Sequence, residues 1–99
     1  MKHTVSEYST VVAAGDQVSS DLGGEVAILN LRAGMYYGLD EVGARVWQLL
    51  QEPTVVGDIQ ATIAQEYEVE PTRARDDVLA LLEQMADAGL IEVEVEPSS

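Results

Sequence analysis

Few side chains in this sequence could do chemistry, and they are scattered. A catalytic site needs a nucleophile, an acid–base pair, a metal-ligand set or a cofactor loop gathered in one place. Cysteine is absent, which removes thiolate nucleophiles, thiolate metal sites and disulfides together. The single histidine, His3, stands in a patternless N-terminal stretch without recognisable partners and reads as a solvated terminal residue. Asp76-Asp77 and Glu66, Glu68 and Glu70 form carboxylate clusters. No Asx-Gly loop with a closing glutamate accompanies them, so they read as solvated faces and not as calcium ligands. Gly23-Gly24 could cradle a phosphate only if a helix began there; no helix does, and the pair reads as a tight turn. Trp47 and the Tyr36-Tyr37 pair could stack on a base or a sugar. Trp47, however, falls among the core positions of a helix, and adjacent strand residues point to opposite faces, so at most one tyrosine meets any ligand. The sequence makes no case for an enzyme, a metal or a cofactor.

The charge is more decisive. Five basic residues stand against 18 acidic ones, a formal net charge of −13. Such a field repels phosphate backbones, whose recognition depends on clustered Lys and Arg. Hydrophobic residues make up 46% of the chain, enough for a packed core despite the charge. A single domain over residues 1–99, with a core from about residue 9 to 95, is expected at this length. No apolar run approaches the roughly 20 residues of a membrane helix. The N-terminus lacks the apolar run of a secretory signal, so a cytoplasmic protein without a membrane partner is expected.

Positioning falls to the stretch Met35–Leu50, which changes period halfway. Met35-Tyr36-Tyr37-Gly38-Leu39 reads as a strand, Asp40 as a helix cap, and Val42, Val46, Leu49 and Leu50 as one inward helical stripe. Upstream, Tyr8 to Ser20 is β-like but interrupted at Gly15-Asp16, and suits one or two short strands. Glu25 to Leu31 is apolar on both faces and reads as a central strand. Arg32-Ala33-Gly34 connects it to Met35–Leu39 as a three-residue hairpin loop. That last strand is then the outer edge of an antiparallel meander. Downstream, a helix from about Glu41 to Gln51 stops before Pro53. Thr54 is placed to cap a second helix carrying Val56, Ile59, Ile63 and Tyr67. Pro71 opens a third, with Val78, Leu81, Leu82 and Met85 on one line and Leu79, Leu82 and Ala86 on the next. Gly89 ends it, with Leu90 in apolar contact. Ile91 to Val95 fits either a closing strand or an extended tail, and Glu96–Ser99 is a tail.

In this order the pieces resemble the PqqD-like family, the precursor-recognition elements of ribosomally made, modified peptides. The resemblance rests on GGEVAILNLRAGMYYGLDEVGARVWQLL, TVVGDIQATIAQEY and DDVLALLEQMADAGLI, and spans roughly residues 17 to 93. Leu39, Asp40, Gly43 and Trp47 carry its Leu-Asp-x-x-Gly-x-x-x-Trp link; Asp77 opens the third-helix motif, and Gly89-Leu90 close it. It implies an α+β, winged-helix-like fold: a three-stranded antiparallel sheet followed by three α-helices. It also implies that a precursor's leader segment adds as a strand to Met35, Tyr36, Tyr37 and Leu39, against a third-helix wall of Arg75, Val78, Leu79 and Leu82. The Arg32-Ala33-Gly34 loop departs from the Pro-Glu turn usual in the member that serves pyrroloquinoline quinone synthesis. The wording is closer to the stand-alone recognition proteins of lasso-peptide pathways. Those hand the precursor to a separate cysteine-protease-like leader peptidase, after which a cyclase closes the ring.

The residues themselves agree with that mode of binding. Strand addition takes affinity from main-chain hydrogen bonds and specificity from pockets for alternate side chains. Exposed edges are usually blocked by lysine, proline or a bulge, and Met35–Leu39 holds neither residue and no charge. Three readings compete with it. A chaperone for a radical-SAM or other peptide-modifying enzyme would use the same edge. A subunit that only docks on an enzyme would show no leader affinity. A DNA-binding winged helix needs a basic recognition helix, whereas Arg73 and Arg75 are offset by Asp76, Asp77, Glu83 and Asp87.

Overall fold

The structure is a computed structural model that describes residues 5–15 and 17–94; His3, Asp16 and the tail from Val95 onward lie outside the described residues. In chain order the elements are β1 (Thr10–Ala13), β2 (Gln17–Asp21), β3 (Val26–Asn30), β4 (Met35–Leu39), α1 (Glu41–Leu49), β5 (Thr54–Val55), α2 (Val56–Glu66), α3 (Pro71–Asp87) and β6 (Ile91–Glu94). The expected meander β2-β3-β4 is present, antiparallel, with β3 in the middle and three helices after it. A second antiparallel sheet, β5-β1-β6, accompanies it. The Ile91 segment is therefore a strand and not a tail.

Turn chemistry sets the meander. Gly23 and Gly24 both have positive φ, which their lack of a Cβ permits, and Asp21 accepts from the Gly23 N–H at 3.0 Å. The next connection is one residue longer than the three expected, Leu31 to Gly34. Asn30 Oδ1 pulls Leu31 out of the ladder by accepting from the N–H groups of Arg32 (3.0 Å) and Ala33 (3.1 Å). Asn30 Nδ2 donates to the Ala88 carbonyl, and its partner across the sheet, Gln17, donates from Nε2 to Ala14 and Leu90 carbonyls, both at 2.7 Å. These side chains tie the meander to the corner between α3 and β6.

The helices end by local rules with one exception. Asp40 caps α1, its Oδ1 accepting from the Gly43 N–H at 2.9 Å. The helix ends at Leu49, two residues before the expected Gln51. At the end of α3, Leu90 N–H bonds to Met85 C=O and Gly89 N–H to Ala86 C=O, with Gly89 at φ +76°: a complete Schellman motif. A similar turn ends α2, where Val69 N–H reaches Ala64 C=O and Glu68 takes the left-handed position at φ +51°. The exception is the start of α2. Thr54 does not cap it; its hydroxyl donates to the carbonyls of Leu49 and Glu52. Carbonyls from Ser9 and Glu7 instead accept from Val56 N–H (2.9 Å) and Gly57 N–H (2.8 Å). A partner this remote in the chain leaves no local pattern.

One core joins both sheets to the helices. Val11, Ile28, Val46, Leu50, Val56, Ile59 and Leu82 are fully buried in it, and Val5, Trp47, Val78 and Leu90 nearly so. None of the helices among the described residues is long and apolar enough to cross a membrane.

Candidate functional site

The hydrogen-bond phase of the meander decides what its edge offers. Leu22 N–H donates to Glu25 C=O across the first turn at 2.7 Å. In an antiparallel ladder a residue turns both backbone groups to the same neighbour, and successive residues alternate. Ala27 and Leu29 therefore bond toward β2, while Val26, Ile28 and Asn30 bond toward their partners Leu39, Tyr37 and Met35. The Gly34 N–H to Asn30 C=O bond fits that phase. Tyr36 and Gly38 are left with N–H and C=O pointing outward, and no other strand among the described residues pairs with them.

The side chains of β4 follow the same alternation. Tyr37 and Leu39 lie half-buried against the core, whereas Tyr36, on the opposite face, is 71% exposed; Met35 shares the Tyr37 face but stands at the hairpin end of the strand, 52% exposed. Beside the Leu39 end runs an open groove of about 520 Å³, walled by Gly38, Leu39, Asp40, Val42 and Gly43 on one side and by Asp77 and Leu81 of α3 on the other. Gly43 is needed there. A Cβ would stand 3.2 Å from Leu39 Cβ and 3.3 Å from Asp40 Oδ1, displacing the leucine that forms the wall and the carboxylate that caps the helix. Val42, Asp77 and Leu81 also border a smaller, almost wholly apolar cavity of about 100 Å³ that reaches Val46, Ile63, Val69, Ala74 and Val78.

The expected site residues separate here. Met35, Tyr36, Tyr37 and Leu39 all lie on the open strand. Val78 and Leu82 are buried, and only Val78 reaches a cavity, as part of the inner wall. Leu79 is half-buried against the core and borders neither the groove nor the inner cavity. Arg75 turns away to a separate cleft between α2 and α3, with its guanidinium 4.0 Å from Glu7. At 100° per residue, Asp77 and Leu81 flank the buried line on one side, Arg75 and Leu79 on the other. The i, i+4 pair Asp77–Leu81 was visible in the sequence, but nothing local says which flank of α3 is covered by α2 and which is left facing the groove.

Charge around the site is acidic and offers no catalytic grouping. Asp40 is committed to its cap, and Asp77 is exposed, 3.7 Å from Arg73. In a neighbouring polar hollow between the Asp21–Gly24 turn and α1, Arg45 makes a two-pronged ion pair with Glu66 at 2.8 and 2.9 Å. The hydrogen bond from Arg45 holds the Glu66 carboxyl below its usual range. Burial, and then the carboxylates of Glu41 and Glu66, push the Tyr67 phenol up. Among the described residues no cluster of His, Asp or Glu is arranged to hold a metal ion.

A winged-helix-like α+β domain whose uncharged β4 edge, unpaired among the described residues, runs beside a groove with an apolar inner cavity is what these features define. The chain belongs to the PqqD family: residues 25–91, more than half of it, match the family of coenzyme PQQ synthesis protein D. Among solved structures, TbiB1 in complex with the TbiA(beta) leader peptide is 32% identical, with a TM-score of 0.77 over 89% of this chain and 99% of that one. The tRNA-dependent lantibiotic dehydratase MibB from Microbispora sp. 107891 shares the fold at 21% identity and a TM-score of 0.58. There the match covers 90% of this chain but only 8% of the dehydratase. No curated protein matches the chain significantly.

Proposed function

We propose that this protein binds the leader segment of a ribosomally made precursor peptide by strand addition to β4 and delivers it to modifying enzymes. The observation that carries the reading is the outer edge of β4, uncharged and without a partner strand among the described residues, running beside the Asp77–Leu81 groove. Guest residues in register with Tyr37 and Leu39 would point toward the groove and its inner apolar cavity. Each large apolar side chain buried there is worth about 1.5–3 kcal/mol before ordering costs. Three such anchors with a few backbone bonds suffice for roughly micromolar binding. The complex of TbiB1 with a leader peptide, at 32% identity over nearly its whole length, supports a leader peptide as the guest here. The finer part of the proposal is a lasso-peptide pathway, with a cysteine-protease-like leader peptidase and a cyclase as downstream partners. It rests on the sequence resemblance described above.

The test is titration of the leader of the precursor encoded beside this chain, followed by backbone amide exchange. Slowed exchange at Tyr36 and Gly38, and a loss of at least about tenfold in affinity for Tyr36→Pro, which removes one outward N–H, are expected. Tight binding with both amides still exchanging freely would refute strand addition. For delivery, the leader peptidase should cleave precursor faster with this protein present than without it; an equal rate would refute that role.

A further inference from the structure

Gly38 stands in mid-strand, where glycine is a poor choice unless something approaches closely. Nothing within the described residues demands it. Its φ is not in the left-handed region, and a Cβ built there meets no atom within 4 Å. The contrast with Gly43, hemmed in by Leu39 and Asp40, is sharp. The missing side chain would project from the outer face of the meander, in one cross-strand row with Ala27 and Ser20. The next row holds Val18, Leu29 and Tyr36, of which Val18 is 53% and Tyr36 71% exposed. Gly38 is also one of the two residues whose N–H and C=O face the free edge, so the bare position borders any strand added there.

Resting on the strand-addition reading above, we propose that the guest carries an aromatic residue in register with Gly38, its ring lying over the bare backbone there and against Tyr36. A strand added to an edge alternates its side chains, so those not entering the groove emerge on the outer face. A ring opposite glycine covers the exposed backbone and makes good the contact that glycine lacks, as aromatic partners of edge glycines do. Tyr36 is its diagonal neighbour, within aromatic reach. Any side chain at position 38 would hold the ring off. Specificity would then come from two faces of the guest: aliphatic anchors inward, one aromatic outward.

The probe is a random peptide library, selected in parallel on the wild-type protein and on Gly38→Val, with amide exchange measured on the best binder from each. Val suits a strand and meets open space, so Gly38→Val should melt no lower than wild type; Gly38→Ala replaces it if the circular dichroism changes. Wild-type binders are expected to align on one aromatic column that disappears from the Gly38→Val selection, with positions 36 and 38 protected in both. Changing that aromatic to alanine should weaken wild-type binding about fivefold and leave Gly38→Val binding within about twofold. Protected amides without the column, or with the column surviving Gly38→Val, overturn this inference and leave strand addition standing. Binders that leave both amides exchanging freely, or no binders at all, overturn strand addition and this inference with it.

Discussion

Leu81→Asp and Leu82→Ala alter adjacent residues of α3 and should fail in opposite ways. Leu82 is fully buried, so truncation removes core contacts on every side and leaves a cavity. The expected cost is roughly 2–5 kcal/mol, a large share of the ~5–15 kcal/mol that holds a small domain together. Leu81 is only half-buried and faces the groove. Aspartate there gives up the leucine's partial packing against the core, about 1 kcal/mol, with about 0.7 kcal/mol of helix propensity and a few tenths from repulsion by Asp77 one turn away. A guest side chain, however, would meet a carboxylate in place of an apolar wall and forfeit about 1.5–3 kcal/mol. That corresponds to about a 10- to 150-fold weaker complex. Calorimetric titration with the leader, alongside thermal melts, reads both quantities. The reasoning fails if Leu81→Asp, still folded at the titration temperature, binds within about twofold of wild type, or if Leu79→Ala, on the other flank, weakens binding instead.

Other outcomes follow from features away from the groove. Glu68 holds a left-handed φ of +51° at the end of α2, so Glu68→Gly should raise stability by about 0.5–1 kcal/mol in urea titrations. The Glu66 carboxyl titrates below its usual 4.5 because Arg45 holds it ionised. Its stabilising contribution is therefore complete above pH 4.5 and fades as pH falls through the lowered value. Melting curves of Glu66→Gln should accordingly lie below wild type at neutral pH and converge with it in acid. With a net charge of −13, association of a basic leader should slow as salt rises while dissociation changes little, measurable by stopped flow. Trp47, the only tryptophan and 4% exposed, borders neither the groove nor the inner cavity; its emission should shift red on unfolding and stay put when the groove fills.

The meander and the three helices were legible in the sequence because their signals are local. Gly23-Gly24, Asp40, Pro71 and Gly89-Leu90 each announce a turn, cap or stop through their own backbone chemistry. Glu25–Leu31 gives away its central place by being apolar on both faces. What stayed hidden depends on partners far along the chain. β5 is two residues long and looked like a helix cap, since only pairing of Val11 with Thr54 and Thr10 with Val55 makes it a strand. The start of α2 is satisfied by carbonyls of Glu7 and Ser9, which no pattern near Thr54 could foretell. On α3 the apolar surplus was visible, but the flank left open is fixed by where α2 packs. Asp77 and Leu81 were therefore passed over for Arg75 and Leu79.

The second sheet bears on how this chain can be cut. The family match begins at residue 25, yet β1 sits in the middle of β5-β1-β6 and ends well before that point. A fragment trimmed to 25–91 would lose β1 and β2, leave β5 without its partner, cut β6 after Ile91, bare the first amides of α2 and take Val5 and Val11 out of the interior. The borders of the family match and of the folding unit do not coincide. Any shortened form of this protein should keep everything from Val5 onward, because the leading stretch holds the second sheet and the start of α2 together.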